Sequence, residues 1–292
     1  MDFLQVDVFT DEPYGGNPLA VFPEAGGLSR AQMQAIASEM NLSETTFVTD
    51  TERDAYAVRI FTPAEELPFA GHPTIGTAWV LKHLERVSGE EVLQRSRGGD
   101  TPVVEEAGRL WFSRSGEAAG DLESTDPTAT AAIAKALGVA PPALGLEARE
   151  LGRSGMLNPA FSNAGLRQLM VPMQSLNELA NARLNPALIE ELGTEGAYCF
   201  TATGAGRLRA RGLWPGFGIV EDPATGSAAA ALGLYLAERV GDIQLEVLQG
   251  VEMGRPSRIE VRARPGQVRV GGECRLVLRG RLEELPTAPG SQ

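Results

Sequence analysis

The chain has 292 residues, of which 43% are hydrophobic and 22% charged, and its formal net charge is −12. That length favours two domains of about 150 residues, and no apolar run approaches the roughly 18 residues of a membrane span, so a soluble protein without membrane insertion is expected. The negative charge and the lack of a clustered Lys/Arg face exclude a phosphate backbone as partner, so no nucleic-acid binding is expected.

The opening "MDFLQVDVFTD" carries acids where a secretory signal carries a basic region, which sets a cytoplasmic expectation. "FLQVDVFT" and "LAVFP" read as strands of a hairpin around the turn-rich "DEPYGGNP". In "LSRAQMQAIASEMN", Ser29 and Gln32 form a capping box, Leu28 and Met33 a hydrophobic staple, and Met33, Ile36, Ala37 and Met40 one apolar face, predicting a helix that ends near Asn41. "TTFVT" and "AYAVRIFT" read as strands, and Glu44 sits where the helix hands over to the first of them. "GTAWVLKHLER" reads as a helix by its periodicity, with strand-like segments after it as far as "RLWFSRS".

The small, acidic stretch "GEAAGDLESTDP" is the best linker, and it divides the chain into domains at 1–118 and 119–292, with the last strand free to rejoin the first domain. Asp126 and Pro127 cap the helix "TATAAIAKALG", which stops at Gly138. "RQLMVPM" (strand), "SLNELANA" and "NPALIEELG" (helices), then "AYCFTA" and "RLRARGLW" (strands) follow, and the chain from "QLEVLQG" onward is mostly strand, with a flexible tail at 286–292. The only cysteines, Cys199 and Cys274, lie in such apolar stretches and read as reduced, buried or half-buried thiols; their number and spacing exclude a CxxC pair or a cysteine metal site.

One phrase occurs twice. "HPTIGTA" (72–78) matches "DPATGSA" (222–228), and upstream of each stands Arg, any, large apolar, any, Pro: "RIFTP" and "RGLWP". The match places His72 against Asp222 and predicts a duplicated architecture in which each half presents a helix start with Pro at its beginning. Small residues there let first-turn amides approach an anion such as a carboxylate. Each residue also has a plainer reading: His72 as a loop hydrogen-bonder, Asp222 as a helix cap, Glu44 as a surface acid or local cap, His83 as a partner of a helix C-terminus. Their combination is what points to a site. No phosphate-loop GK[ST], GxGxxG, GxSxG or HExxH pattern is present, which leaves carboxylate and imidazole proton chemistry.

"VFTDEPYGGNPLAVF", "MNLSETTFV", "RIFTPAEELPFAGHPTIGTAW", "IVEDPATGSAAAAL" and "LQGVEMGRPS" resemble, in order, the signature blocks of the PhzF-like family, named for the phenazine-biosynthesis isomerase. The resemblance implies an α/β (α+β) diaminopimelate epimerase-like fold. In that fold two pseudo-symmetric domains each wrap a sheet or barrel around a central helix, with the active site in the cleft between them. It also implies a homodimer, no cofactor and no metal, and a small carboxylate substrate. Residue by residue, Glu44 matches the general acid/base, His72 and Asp222 the groups that bind substrate and assist proton movement, and Gly71, Thr225, Gly226 and Ser227 the carboxylate-binding loops. The two catalytic cysteines of the racemase and epimerase cousins are missing at the helix starts.

The implied activity is a double-bond or keto-enol isomerisation, with Glu44 raised by desolvation to a pKa of about 6 to 7. Two alternatives stand beside it: a non-catalytic small-carboxylate binding protein, and an amino-acid racemase or epimerase.

Overall fold

The computed structural model describes residues 1–120, 128–217 and 219–287. The linker reading falls partly outside the described residues, as does the end of the tail, and the Asp126–Pro127 cap lies wholly outside them. The chain forms two compact units, one of Met1–Ser113 with Gly271–Gln292 and one of Arg114–Val270. Among the described residues no helix is long and apolar enough to cross a membrane.

In the first unit the predicted hairpin is β1 (Asp2–Val8) antiparallel to β2 (Asn17–Phe22). Helix α1 (Arg30–Met40) begins at the predicted capping box of Ser29 and Gln32 and stops at Asn41, which is left-handed with φ 51°. Its face of Met33, Ile36 and Ala37 packs on Phe22, Phe47 and Phe61, with Phe22 stacked on Phe47 at 5.1 Å and Phe47 edge-to-face with Phe61 at 5.5 Å. Each such side chain taken from water contributes about 1.5–3 kcal/mol.

The chain continues through β3 (Glu44–Thr51), β4 (Ala55–Phe61), β5 (Glu66–Leu67), α2 (Gly71–His83), β6 (Glu91–Ser96), β7 (Gly99–Glu106) and β8 (Arg109–Ser115), the last running just past the boundary between the units. The ladder runs β1–β2 antiparallel, β2–β3 parallel, β3–β4 antiparallel, β4–β6 parallel and β6–β7–β8 antiparallel; the final strand, Cys274–Arg281, pairs with β1. Helix α2 touches β1, β2, β3, β6, β7 and that final strand. It is buried from Gly71 to Ala78, the pattern of a helix surrounded by its sheet rather than lying on it. A Cβ at Gly76 would approach Leu19 Cδ2 to 2.6 Å, so glycine is what lets the helix settle against β2.

The second unit repeats this order. After β9 (Glu117–Ala118), α3 (Ala129–Leu137), β10 (Leu146–Glu147) and β11 (Met156–Leu157) come β12 (Ala160–Asn163), β13 (Arg167–Pro172), α4 (Leu176–Asn181), α5 (Pro186–Glu190), β14 (Ala197–Gly204), β15 (Arg207–Trp214), β16 (Ile219–Asp222), α6 (Gly226–Val240), β17 (Ile243–Gln249) and β18 (Ser257–Arg264). The pairings β12–β13 antiparallel, β13–β14 parallel, β14–β15 antiparallel, β15–β17 parallel and β17–β18 antiparallel are those of β1 to β7. Helix α6 holds the place of α2 and is buried over most of its length.

Both thiols are free and buried, Cys199 on β14 and Cys274 on the final strand, as the sequence suggested. Burial pushes the Cys199 thiol up to about 12 and raises that of Cys274 as well.

Candidate active site

The structure shifts the register of the repeat. Helix α2 begins at Gly71, five residues before the position that the "HPTIGTA"/"DPATGSA" match assigned, because Pro73 is accommodated inside the first turn, where its missing N–H has no intrahelical acceptor to lose. Helix α6 begins at Gly226, with Pro223 lying before the helix. The structural repeat is therefore "ELPFAG" (66–71) against "EDPATG" (221–226), which sets His72 against Ser227 and Leu67 against Asp222.

A pair of ionic latches proves this register. Arg59 Nε and Nη2 donate to Glu66 Oε1 and Oε2, both at 2.8 Å, and Arg211 Nε and Nη2 donate to Glu221 Oε1 and Oε2 at 2.9 and 2.8 Å. Each glutamate stands five residues before the helix start, and each planar fork-to-carboxylate bond ties the incoming strand to the loop that feeds the helix. The Arg of "RIFTP" and "RGLWP" was visible in the sequence; its acidic partner was not singled out. Glu66 also accepts from Arg30 Nε (2.9 Å) and Arg97 Nη1 (3.1 Å), and these arginines, Arg59 foremost, hold its carboxyl down at about 2, against an ordinary value of 4.5.

Because the unfolded carboxyl ionises near 4.5 and the folded one near 2, the cluster stabilises the fold fully above about pH 4.5 and loses that stabilisation as pH falls toward 2. Glu66→Gln is expected to flatten the stability profile across that window, read as urea midpoints at stepped pH; an unchanged slope would refute the assignment.

Glu44 opens β3, separated from the end of α1 by three residues, at the predicted hand-over from helix to strand. Its Oε2 lies 3.4 Å from Nε2 of His72, the second residue of α2, and the two side chains are 12% and 4% exposed. His72 Nδ1 faces Asn17 Nδ2 at 3.1 Å. Burial pushes the His72 ring down to about 3, so it is neutral at ordinary pH. Helix α2 has no side-chain cap, and the amides of Gly71 and His72 have no intrahelical acceptor.

In the second unit the Thr225 hydroxyl donates to Asp222 Oδ2 at 2.6 Å, and Gly226 and Ser227 are the first two residues of α6. Asp222 is therefore held by the residue that precedes the helix. Gln168 Nε2 donates to Ser227 Oγ at 3.3 Å.

A tyrosine–glutamine pair, which the sequence reading missed, supports each helix start. Tyr56 OH donates to Gln94 Oε1 (3.1 Å), and Gln94 Nε2 donates to Thr74 Oγ1 in α2 (2.9 Å). In the second unit Tyr198 OH donates to Gln249 Oε1 (2.8 Å), which also accepts from the Thr225 amide (3.1 Å), while Gln249 Nε2 donates to Asp222 O (2.8 Å). Tyr56 lies on β4 and Tyr198 on β14, so the same support is built from non-equivalent strands.

The repeat also supplies a counterpart for Glu44. Arg59 pairs with Phe47, and Arg211 with Cys199; counting back three residues aligns Glu44 with Gly196. A Cβ at Gly196 would come within 2.2 Å of Leu213 O, so the second unit has no room for an acid there. Among the described residues, no group of three His, Cys, Asp or Glu side chains is placed to hold a metal ion.

The profile of the phenazine biosynthesis-like protein family (PhzC-PhzF) matches residues 6–280. The trans-2,3-dihydro-3-hydroxyanthranilate isomerase of Pseudomonas chlororaphis is 37% identical over 270 residues, covering 89% of this chain and 90% of the relative. Among solved structures, a predicted epimerase of Pseudomonas aeruginosa is 31% identical with a TM-score of 0.78, covering 97% of this chain and 99% of that one. A hydroxyproline epimerase of Agrobacterium vitis, at 11% identity and TM-score 0.57 over 96% and 91% of the two chains, shares the fold alone. The α/β fold is thus of the diaminopimelate epimerase-like type.

Proposed function

The chain belongs to the phenazine biosynthesis-like protein family and is an isomerase, and we propose that it moves a proton between two carbons of a small unsaturated carboxylate, with Glu44 as the general acid/base and no cofactor. The observation that carries this reading is the meeting of a nearly buried carboxylate with a neutral histidine at an uncapped helix start, Glu44 Oε2 to His72 Nε2 at 3.4 Å. Ionised Glu44 takes a proton from an sp³ carbon next to a conjugated system. The C–H electron pair enters that system, the double bonds shift, and protonated Glu44 returns the proton to a different carbon. Atoms and electrons balance without oxidant or reductant.

His72 and Asp222 bind the polar groups of the substrate and assist the proton's movement, while Gly71, Thr225, Gly226 and Ser227 supply amides and hydroxyls for its carboxylate. A well-placed donor that meets charge as it develops lowers the barrier by roughly 3 kcal/mol. Such local donors provide the attraction for an anion that a chain of net charge −12 lacks as a whole. Thiol-based racemisation is disfavoured because Cys199 and Cys274 are buried on strands rather than placed at the starts of α2 and α6.

The test uses the substrate named for the 37%-identical relative as its first probe. Incubated in deuterium oxide with trans-2,3-dihydro-3-hydroxyanthranilate and then with a panel of small unsaturated carboxylates, the protein is expected to give an isomer from at least one, with its proton retained or exchanged at the new C–H. Binding heats without isomer or exchange across the panel would instead identify a carboxylate-binding protein.

A further inference from the structure

We propose that Asn17 locks His72 in the tautomer protonated on Nε2, so that the histidine acts as a hydrogen-bond donor toward Glu44 and not as a second base. The functional part of this inference rests on Glu44 being the proton carrier; the structural part does not.

Asn17 is the first residue of β2, fully buried, and its backbone is held on both sides. Gly16 before it is left-handed at φ 61°, and a Cβ there would lie 2.3 Å from Val8 O, so only glycine makes this turn. Within the same turn the Tyr14 amide donates to Asp7 Oδ2 at 2.7 Å, and Asn17 itself pairs with Val8 across the hairpin. The side chain is thereby aimed from a rigid frame at a ring that is 3% exposed.

A neutral imidazole has one donor nitrogen and one acceptor nitrogen. With the Asn17 amide nitrogen at 3.1 Å from Nδ1, that nitrogen accepts and the proton belongs on Nε2. The other end of the ring gives the same answer independently. Nε2 lies 3.4 Å from a carboxylate oxygen of Glu44, and among the described residues it makes no aligned hydrogen bond. An unprotonated Nε2 would set a lone pair against that carboxylate in a low-dielectric site, whereas Nε2–H meets it favourably. Turning the Asn17 amide around would permit Nδ1–H but would leave this repulsion in place. The buried ring's depressed pKa excludes the doubly protonated form at ordinary pH.

The mechanistic consequence is a division of labour. Asn17 touches no reacting atom and is a positioning residue. His72 turns its Nε2–H side, and not a lone pair, toward the Glu44 carboxylate 3.4 Å away, and leaves the taking and returning of the substrate proton to Glu44.

The chain has only two histidines, so the test is direct. Histidine labelled with ¹⁵N is incorporated, His83→Gln assigns the remaining ring, and long-range ¹H–¹⁵N correlations report which nitrogen of His72 carries the proton. The ligand-free wild type is expected to show Nε2 protonated and Nδ1 bare. Asn17→Asp replaces the donor by an acceptor and is expected to move a measurable fraction of the proton to Nδ1. Proton transfer by that variant should fall about 10- to 100-fold, the range set by partners that orient metal-bound histidines. A wild-type ring protonated on Nδ1 overturns the proposal, as does a folded Asn17→Asp protein whose tautomer is unchanged. If Asn17→Asp fails to fold, the wild-type spectrum still decides. Since the tautomer is read without substrate, failure of the proposed reaction and failure of this inference are separate results.

Discussion

Glu44→Gln is expected to slow proton transfer by about 10² to 10⁴-fold while leaving carboxylate binding within a few fold of wild type. The magnitude follows from the role: a positioned general acid/base contributes that factor, which corresponds to roughly 3–5 kcal/mol of barrier. The variant isolates proton chemistry from structure. Glutamine has the length and shape of glutamate, its carbonyl oxygen can take the place of the carboxylate oxygen that lies 3.4 Å from His72 Nε2, and the strand pairing of residue 44 with Leu19 uses only backbone. What disappears is the capacity to take and return a proton. The expected signature is a fall in kcat with KM little changed. Undiminished deuterium incorporation by Glu44→Gln would remove Glu44 from the mechanism and return attention to Asp222, the other buried carboxylate among the candidate residues. The repeat sharpens the expectation: Gly196 occupies the position equivalent to Glu44, so the second unit has no substitute acid at that place.

The parts of this protein legible in its sequence are those governed by local rules. The capping box at Ser29 and Gln32 and the left-handed stop at Asn41 delimit α1 within a residue, since a cap is satisfied by neighbours a few positions away. The duplication was also legible, but not its register. "HPTIGTA" and "DPATGSA" draw on the small alphabet of Gly, Ala, Pro and Thr that any tight helix start uses, so their likeness carried little positional information. The residues that fix the register are Glu66 and Glu221, each two before a proline and five before the glycine that begins a helix. Their meaning appears only when Arg59 and Arg211 arrive from another strand.

Asn17, Gln94 and Gln249 stayed invisible for a related reason. All three are fully buried amides, a residue type that sequence reasoning places on the surface, and each makes a hydrogen bond to a partner at least 20 residues away. By contrast the position of Glu44 is legible because a lone acid between a helix stop and a strand start is a local pattern, while its role comes from the family resemblance.

The two latches share one bond geometry but not one centre, and this yields the second large expected effect. In the first unit the acid is the hub: Glu66, with no exposed side-chain surface, binds Arg59, Arg30 and Arg97, which are 27%, 62% and 63% exposed. In the second unit the base is the hub: Arg211, 5% exposed in its side chain, binds Glu221 and donates through Nη1 to the carbonyls of Leu179, Ala180 and Ala182 at the end of α4. Deleting a hub removes several charge-assisted hydrogen bonds at once, whereas deleting a spoke removes one arm and leaves the rest of the cluster in place. Removing one member of a buried pair costs about 3–5 kcal/mol, and losing a single charged hydrogen bond with an alternative partner at hand about 1–2 kcal/mol.

Glu66→Gln and Arg211→Met should therefore fall in the larger class, and Arg59→Met and Glu221→Gln in the smaller. Arg59→Met is mild because two arginines still neutralise Glu66; Glu221→Gln is mild because Arg211 keeps its bonds to the three carbonyls. Native-state hydrogen exchange at the amides of β4 and β15 reads each unit separately, so loss of one unit is not mistaken for loss of both. If arginine deletion were the costlier change in the first unit, or glutamate neutralisation in the second, the hub assignment would be wrong. The feed into that helix start would then depend on the pair alone and not on the cluster built around it.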